Sequence, residues 1–278
     1  SELYADAGIK FLEKYDSEKP FFMYMAFQAP HDPREMPQKY LDMYDTVTIS
    51  LPPNFQPNHP FDNGELDIRD EWLAGSPRTR EEVKANIVAY YAMITHLDEQ
   101  IGRVLKKLEE VGLEENTIIV FAGDNGIAVG QHGLMGKQNL YEHSINVPLV
   151  FKGPGIPKGK RNGAFAYLYD LFPTFCDFAG TDIPATVEGM SLKPSLLDGT
   201  LQTRKSMFFA YKNFQRAVRD DRWKIIKYNV NNEIITQLFD LKNDPYETTN
   251  LADNVEYEIQ LIKMNDLMVQ LMSQYNDE

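Results

Sequence analysis

The stretch that decides the fold is Thr117-Ile-Ile-Val-Phe-Ala-Gly-Asp-Asn-Gly126. Ile118 to Ala122 is an unbroken apolar run rich in β-branched residues, which predicts a buried strand of a parallel sheet. In open α/β sheets, ligands gather just beyond the carboxyl ends of such strands. Asp124 and Asn125 occupy that position, and a carboxylate beside an amide oxygen suits a hard cation such as Ca²⁺ or Mg²⁺. The same residues are also typical of a plain Asp-Asn-Gly turn, so both interpretations stay open here.

The loop that follows carries polar groups on a glycine-rich backbone. It reads Gly130-Gln-His-Gly-Leu-Met-Gly-Lys137 and contains His132 and Lys137. Tyr141-Glu142 and a second apolar run, Val147 to Phe151, come next. That run predicts another strand, which we place at 148–152.

A third apolar run near the start of the chain also ends in a polar loop. Phe21 to Phe27 predicts a strand, and it leads into Gln28-Ala-Pro-His-Asp-Pro33. The prolines at 30 and 33 stiffen this loop and restrict where His31 points. Taken alone, the pattern is more typical of a surface histidine in a proline-rich turn.

Helical periodicity places the remaining elements around these strands. It predicts a helix over 3–15 and a long helix over 79–110, which starts at a Thr79/Glu82 capping box. A shorter helix is predicted over 171–179, and a final one over 255–275 with Ile259, Ile262, Leu267 and Leu271 on its apolar side. Four short strands, at 207–211, 215–219, 223–228 and 234–239, predict a small antiparallel meander.

Residues 46–80 break this regularity. Five prolines interrupt the segment, and Phe55, Phe61 and Trp72 lie among charged residues that include Arg69 and Asp70. Irregular segments of this length are usually functional or disordered. We leave two interpretations open: a wall of a substrate pocket that grips a sugar, or a solvated excursion.

Composition limits the classes of function. The 278 residues suffice for one large or two modest domains, and the formal net charge is −13. No basic cluster offsets that charge, so we expect neither nucleic acid nor an anionic membrane as a partner. No apolar run is long enough to span a bilayer. The single cysteine, Cys176, excludes an intrachain disulfide framework, and nothing beside it in sequence activates the thiol.

The order of these motifs resembles the C-terminal portion of the sulfatase family, in the alkaline-phosphatase-like superfamily. The similarity covers nearly the whole chain and includes His31-Asp-Pro33, Asp124-Asn-Gly126 and the 130–137 loop. The implied fold is α/β, with a mostly parallel sheet flanked by helices, then a small antiparallel sheet and a C-terminal helix. We expect residues 1–200 to belong to the α/β catalytic domain and 201–278 to form a small α+β subdomain.

The chain departs from the family pattern in one respect. Sulfatases carry a Cys-X-Pro-Ser-Arg or Ser-X-Pro-Ser-Arg motif, whose first residue becomes the formylglycine nucleophile, and an Asp-Asp pair that completes the metal site. The nucleophile motif is not present here, since Cys176 is followed by Asp-Phe-Ala, and the one Asp-Asp pair, Asp220-Asp221, lies between two strands of the predicted meander rather than in the N-terminal half where the family carries it. We therefore expect formylglycine upstream of this chain, the N-terminal remainder of a parent protein as a partner, and no activity from this fragment alone.

The resemblance implies hydrolysis of a sulfate ester on a small molecule or glycan, with carbohydrate sulfates the main expectation. Asp124 and Asn125 would bind the divalent metal, with Ca²⁺ expected and Mg²⁺ the alternative. Lys137 would bind the sulfate, His31 would bind the ester and protonate the leaving oxygen, and His132 would contact substrate. The family implies a periplasmic, extracellular or lysosome-like compartment, although no signal peptide is visible and Ser1-Glu-Leu3 does not resemble a natural start.

Two other functions remain open. A phosphodiesterase or phosphonate hydrolase of the same superfamily would share the metal chemistry, often with a second cation and more histidine and aspartate ligands. A non-catalytic relative would bind sulfated glycans without hydrolysing them. Metal stoichiometry and the identity of the residue at the nucleophile position would distinguish these alternatives.

Overall fold

The computed structural model describes residues 1–16, 18–199 and 204–277. The helices are α1 (Glu2–Lys14), α2 (Gln38–Leu41), α3 (Arg80–Glu110), α4 (Glu142–Ile145), α5 (Leu171–Ala179), α6 (Lys193–Leu197) and α7 (Glu258–Gln274). The strands are β1 (Ile119–Ala122), β2 (Leu149–Lys152), β3 (Met207–Tyr211), β4 (Gln215–Arg219), β5 (Trp223–Val230) and β6 (Glu233–Asp240). The predicted α/β class is confirmed, as are the small antiparallel sheet and the C-terminal helix.

The chain divides into two compact units. The first comprises Ser1–Pro52, Ala74–Val120 and Phe151–Pro154, and the second comprises Pro53–Leu73, Phe121–Val150 and Gly155–Glu278. The predicted domain boundary at 200/201 lies outside the described residues and stays a prediction.

Helix α3 organises the first unit. Thr79 caps it as predicted: the Thr79 hydroxyl oxygen accepts a hydrogen bond from the Glu82 amide at 3.2 Å and donates one to the Glu82 carboxylate at 2.8 Å. Its apolar stripe packs against α1 through a core of Ala5, Leu12, Val104 and Leu108.

The predicted strand at 21–27 is extended but has no strand partner among the described residues. Phe21, Met23 and Met25 pack against the α1–α3 core, whereas Phe22 and Tyr24 are 73% and 83% exposed. The alternation is that of a strand with one buried face. Strand hydrogen bonds need a neighbour, and none is described beside this segment.

Strands β1 and β2 form a two-stranded sheet. The Gly123 amide, just after β1, donates to the Pro148 carbonyl, just before β2, at 3.1 Å. Beyond the other end, a Cβ on Gly153 would lie 2.9 Å from the Ile118 Cα. These contacts make the pair antiparallel. The prediction that β1 is buried was partly wrong. Phe121 is 44% exposed, and β2 is the one neighbouring strand described.

The second unit is built on the predicted meander, in the order β3-β4-β5-β6. Successive side chains alternate between two faces, and each face has its own core. One face packs on the segment 128–141 through Leu134, Leu140 and Tyr141, and the opposite face packs on α7.

The apolar side predicted for the last helix was partly wrong. Met264, Met268 and Leu271 are buried, whereas Ile259 and Ile262 are 71% and 53% exposed. Methionines adapt to an irregular surface, so the buried stripe lies where the sheet offers space. None of the helices in the described ranges combines the length and apolar character that a membrane crossing needs.

Candidate active site

The Asp124-Asn125 turn follows β1 as predicted and presents oxygen atoms outward. Both side chains are exposed. The Asn125 amide donates to Asp124 Oδ1 at 2.9 Å, and Asn125 Nδ2 donates to the Gly126 carbonyl at 2.8 Å. Asp124 Oδ2 and Asn125 Oδ1 have no hydrogen-bond partner among the described residues. The donor set therefore fits a hard cation, which binds carboxylate and amide oxygens.

The turn is anchored from behind by helix α4. The Gly126 amide donates to the Ser144 carbonyl at 2.9 Å. A Cβ on Gly126 would lie 1.9 Å from the His143 carbonyl oxygen, so only glycine permits this approach. Backbone contacts thus fix the position of the turn and leave its side chains available.

The part of the chain that the structure describes contains no group of three or more His, Cys, Asp or Glu residues able to hold a metal. Ca²⁺ takes six to eight oxygen ligands, and Mg²⁺ takes six. Asp124 and Asn125 therefore form part of a metal site at most.

The glycine loop, residues 130–137, follows this turn along the chain and folds back on itself. The Gly130 amide donates to the Leu134 carbonyl at 2.8 Å, and the Ala128 amide donates to the Gly136 carbonyl at 3.0 Å. Gly133 has φ +75°, and a Cβ there would lie 2.2 Å from the Asn58 carbonyl carbon. The backbone of the 53–73 segment therefore packs directly on the loop.

Lys137 ends the loop half-buried, and its ammonium forms no salt bridge within the described ranges. Asp70 is the carboxylate whose charge interacts with it. Burial alone would raise the pKa of Asp70, but hydrogen bonds from Gln138 and Arg69 and the charges of Arg69 and Lys137 lower it below its usual value. Since Asp70 is already bonded to Gln138 and Arg69, at 2.9 and 2.7 Å, the Lys137 charge stays available to an anion.

His132 lies inside the same loop, but its ring is buried. The ring stacks on Tyr141 at 3.9 Å between centroids, and its Nε2 lies 3.0 Å from Asn54 Nδ2. Burial, with the charges of His59 and Lys224, lowers the pKa of His132 to about 4. Its predicted contact with substrate would require the ring to leave this stack, and it stays a prediction.

Two more histidines surround Tyr141. The rings of His59 and His143 lie 6.0 and 5.7 Å from it between centroids. Burial lowers the pKa of His59 to about 4 and that of His143 well below its usual value. No periodic pattern in the sequence predicted this cluster, because His59, His132 and the Tyr141–His143 pair come from three separate segments of the chain.

His31 belongs to the first unit. Its side chain is 45% exposed. Its Nδ1 lies 2.7 Å from the Asp32 carbonyl oxygen and 3.3 Å from Asp32 Oδ1, so the neighbouring aspartate orients the ring. The opposite ring nitrogen is the one left to face a ligand.

Sequence reasoning missed the roles of Asp70 and Glu71. Both are buried in a 3-10 turn, Arg69–Leu73, and both carboxylates point to the glycine loop and the residues that follow it. The only sequence signal was a pair of acidic residues inside an irregular, proline-rich segment.

Family models match almost the whole chain. The model described as "Sulfatase" matches residues 1–181, and the one described as "N-sulphoglucosamine sulphohydrolase, C-terminal" matches residues 130–274. An arylsulfatase of Clostridium perfringens is 33% identical over 276 residues, which cover 94% of this chain and 55% of the relative. An N-acetylglucosamine-6-O-sulfatase of Bacteroides thetaiotaomicron is 26% identical, with 100% of this chain and 62% of the relative covered. The chain spans about half the length of the curated relatives it matches.

Solved structures share the fold. One, described as a complex with its substrate D-glucosamine-2-N,6-O-disulfate, superposes with TM-score 0.85 at 25% identity, over 99% of this chain and 70% of that one. A phosphonate monoester hydrolase of Agrobacterium radiobacter superposes with TM-score 0.84 at 25% identity, over 97% of this chain and 60% of that one.

Proposed function

The chain belongs to the sulfatase family, and from that premise we propose that it is part of an enzyme that hydrolyses sulfate esters on carbohydrates. The observation that carries the proposal is Lys137. It is a half-buried cation without a salt bridge in the described residues, on a loop held in place by the protein itself. Such a group suits a fixed anion such as a sulfate ester.

Each of these residues has a distinct task in this proposal. Asp124 and Asn125 supply two oxygens to a divalent cation, Ca²⁺ in the first instance and Mg²⁺ as the alternative. Lys137 binds the sulfate through its charge. His31, oriented by Asp32, binds the ester and delivers a proton to the leaving oxygen, which needs a general acid near neutral pH. His132 keeps the glycine loop packed, and direct contact with substrate is its second task.

Two absent groups complete the chemistry. A bound divalent cation supplies Lewis-acid stabilisation of developing charge, and formylglycine from the N-terminal remainder supplies the nucleophile. We propose that this remainder also covers the exposed faces of 21–27, β1 and β2, where Tyr24, Phe121 and Val150 are 83%, 44% and 56% exposed. The family's periplasmic, extracellular or lysosome-like setting is part of the same proposal.

The carbohydrate assignment is supported by two relatives. One is named for N-acetylglucosamine 6-O-sulfate, and one solved structure is described with a sulfated glucosamine. The test is the kcat/KM of the full-length protein on a panel of sulfated monosaccharides and an aryl sulfate. Turnover of the aryl sulfate without any sugar sulfate would refute the carbohydrate part and leave the sulfatase part standing.

The structural similarity to a phosphonate monoester hydrolase supports one alternative. The same full-length preparation should be assayed on matched aryl sulfate and aryl phosphonate esters, and its metal content measured. A higher kcat/KM on the phosphonate, or two ions per molecule, would favour the alternative.

A further inference from the structure

The glycine loop is paired with the 53–73 segment along its backbone. The His132 amide donates to the Asn54 carbonyl at 2.8 Å, and the Gln56 amide donates to the Gly130 carbonyl at 3.3 Å. Phe55 and Gln131 form an antiparallel bridge between these two bonds. The segment therefore fixes the first half of the loop through its main chain.

A side chain from the same segment fixes the second half. Glu71 is 5% exposed, and its two carboxylate oxygens accept from successive amides. Its Oε2 accepts from the Met135 amide at 2.9 Å, and its Oε1 accepts from the Gly136 amide at 2.9 Å. Hydrogen bonds to an ionised acceptor are about twice as strong as neutral ones, and here two act together.

The next amide belongs to Lys137 and is anchored by a related contact. It donates to Gln138 Oε1 at 2.9 Å, and Gln138 Nε2 in turn donates to Asp70 Oδ2 at 2.9 Å. Asp70 and Glu71 are neighbours in one 3-10 turn. Three consecutive peptide groups that end at Lys137 are thus tied to this turn, directly or through Gln138.

Glycine at position 136 makes the approach possible. A Cβ there would lie 2.6 Å from Gln138 Oε1 and 2.9 Å from Glu71 Oε1. The backbone conformation does not demand glycine, because Gly136 lies outside the positive-φ region. The residue is glycine because the carboxylate and the amide side chain lie against it.

We propose that Glu71 is a positioning residue that sets the direction of the Lys137 ammonium, so that the charge meets the sulfate without a search over loop conformations. This inference rests on the proposed role of Lys137 in binding sulfate. In this proposal Glu71 touches no substrate and acts through the backbone of the loop.

Amide hydrogen exchange in the full-length protein tests the contact itself. Glu71→Gln keeps the shape but turns one acceptor into a donor that faces an N–H group. We expect exchange at Met135 and Gly136 to accelerate roughly 10- to 100-fold, from the worth of a hydrogen bond to a charged group. The matched control is Glu65→Gln: Glu65 is 6% exposed in the same segment but pairs with Lys212. Unchanged exchange in Glu71→Gln, or equal acceleration in the control, would overturn the proposal.

A double-mutant cycle tests the link to Lys137. Glu71→Gln should lower kcat/KM on a sulfate ester roughly 10- to 100-fold, mainly through KM, yet cost little once Lys137→Ala is present. Gln138→Ala is a milder change that leaves Glu71 in place, and it should lower kcat/KM by a smaller factor with the same dependence on Lys137. It provides the test if Glu71→Gln folds poorly. If the penalties multiply while Lys137→Ala is itself impaired, the Glu71 proposal fails alone. A fully active Lys137→Ala would instead overturn the sulfate role of Lys137, and the Glu71 proposal with it.

Discussion

The glycine loop and the Asp124-Asn125 turn lie in the same compact unit but are built differently. The loop is buried, and its last three amides are accepted by Glu71 and Gln138. The turn is exposed, and two of its side-chain oxygens have no partner among the described residues. A lysine side chain is long and flexible, so its ammonium is positioned best when the backbone that carries it is fixed. Carboxylate and amide ligands are ordered by the ion they bind. The anion-binding part of the proposed site is therefore preorganised in this chain, whereas the metal-binding part has an anchored backbone but ligand side chains that no described residue orients.

Charge distribution shows the same contrast. The acidic residues nearest the glycine loop, Asp70 and Glu71, accept hydrogen bonds from amides and from Arg69 rather than pairing with the ammonium of Lys137. Asp124 has no neighbouring cation bonded to it in the described chain. Each part thus keeps free the charge that its proposed ligand requires.

The largest expected effect follows from the incomplete metal-binding part. We predict that the 278-residue chain alone hydrolyses no sulfate ester, because its sequence lacks the nucleophile motif and its described residues include no group of three or more His, Cys, Asp or Glu able to hold a metal. The measurement is turnover of an aryl sulfate with and without added Ca²⁺. Turnover above a heat-inactivated control would show that this half is sufficient.

Removal of a metal ligand should come next in size. In the full-length protein, Asp124→Ala should lower metal affinity and reduce kcat more than about 100-fold. Mutation of residues that only hydrogen-bond to a metal ligand already lowers metal affinity or activity about 10- to 100-fold. Metal content by elemental analysis and kcat are measured together. Asp182→Ala, which removes another exposed carboxylate of the same unit, is the control. Stoichiometric metal and a normal rate in Asp124→Ala would remove Asp124 from the site.

The third prediction separates a fixed charge from a proton donor. Lys137 should bind sulfate in ground and transition states alike, so Lys137→Ala should lower kcat/KM by similar factors on aryl and sugar sulfates. His31 should matter most when the leaving group is a poor one. His31→Ala should therefore cost about 10²- to 10⁴-fold on a sugar or alkyl sulfate and far less on an activated aryl sulfate.

The comparison uses kcat/KM of both variants on both substrates in the full-length protein. Equal losses on the two substrates in His31→Ala would make His31 a binding residue only. The general acid would then have to be another group, and His132 fits that role poorly, because its buried ring has a pKa of about 4 and is neutral near pH 7.

The accuracy of the sequence-based predictions differs between elements of the fold for a physical reason. Elements with strong periodicity and end signals, such as α3 with its Thr79 cap and the β3–β6 meander, were predicted within one or two residues. Their local patterns and their tertiary burial agree. Segment 21–27 and α7 were less well predicted, because a strand also needs a neighbour and the buried stripe of a helix depends on the surface it meets.

The candidate site shows a similar limit. Contiguous motifs led to Asp124, Asn125 and Lys137, which lie between β1 and α4, and their roles stay predictions. Glu71 was not predicted, because it contacts Met135 and Gly136, which are 64 and 65 positions away in sequence, and no local pattern encodes such contacts. The stack of His132 on Tyr141 was missed for the same reason.

The smallest effect concerns acid stability of the region around the glycine loop. His59 and His132 have pKa values of about 4 in the folded protein, against 6.5 for an ordinary histidine, and the pKa of His143 is also well below that. The unfolded chain therefore binds more protons than the folded protein between about pH 4 and pH 6.5. Stability from these neutral histidines is complete above pH 6.5 and is lost as the pH falls through this window.

His143→Phe tests this directly, because both ring nitrogens of His143 are buried without a hydrogen-bond partner among the described residues. Phenylalanine keeps an aromatic ring beside Tyr141 and removes one titrating group. The slope of the unfolding free energy against pH, from urea titrations between pH 4.5 and 6, should fall by about 1.4 kcal/mol per pH unit, the value for one proton. Ile226→Val, a non-titrating change in the core that Tyr141 shares, should shift stability equally at every pH. An unchanged slope in His143→Phe would mean that His143 is protonated in the folded protein. A charged imidazolium would then lie beside His132 of the glycine loop.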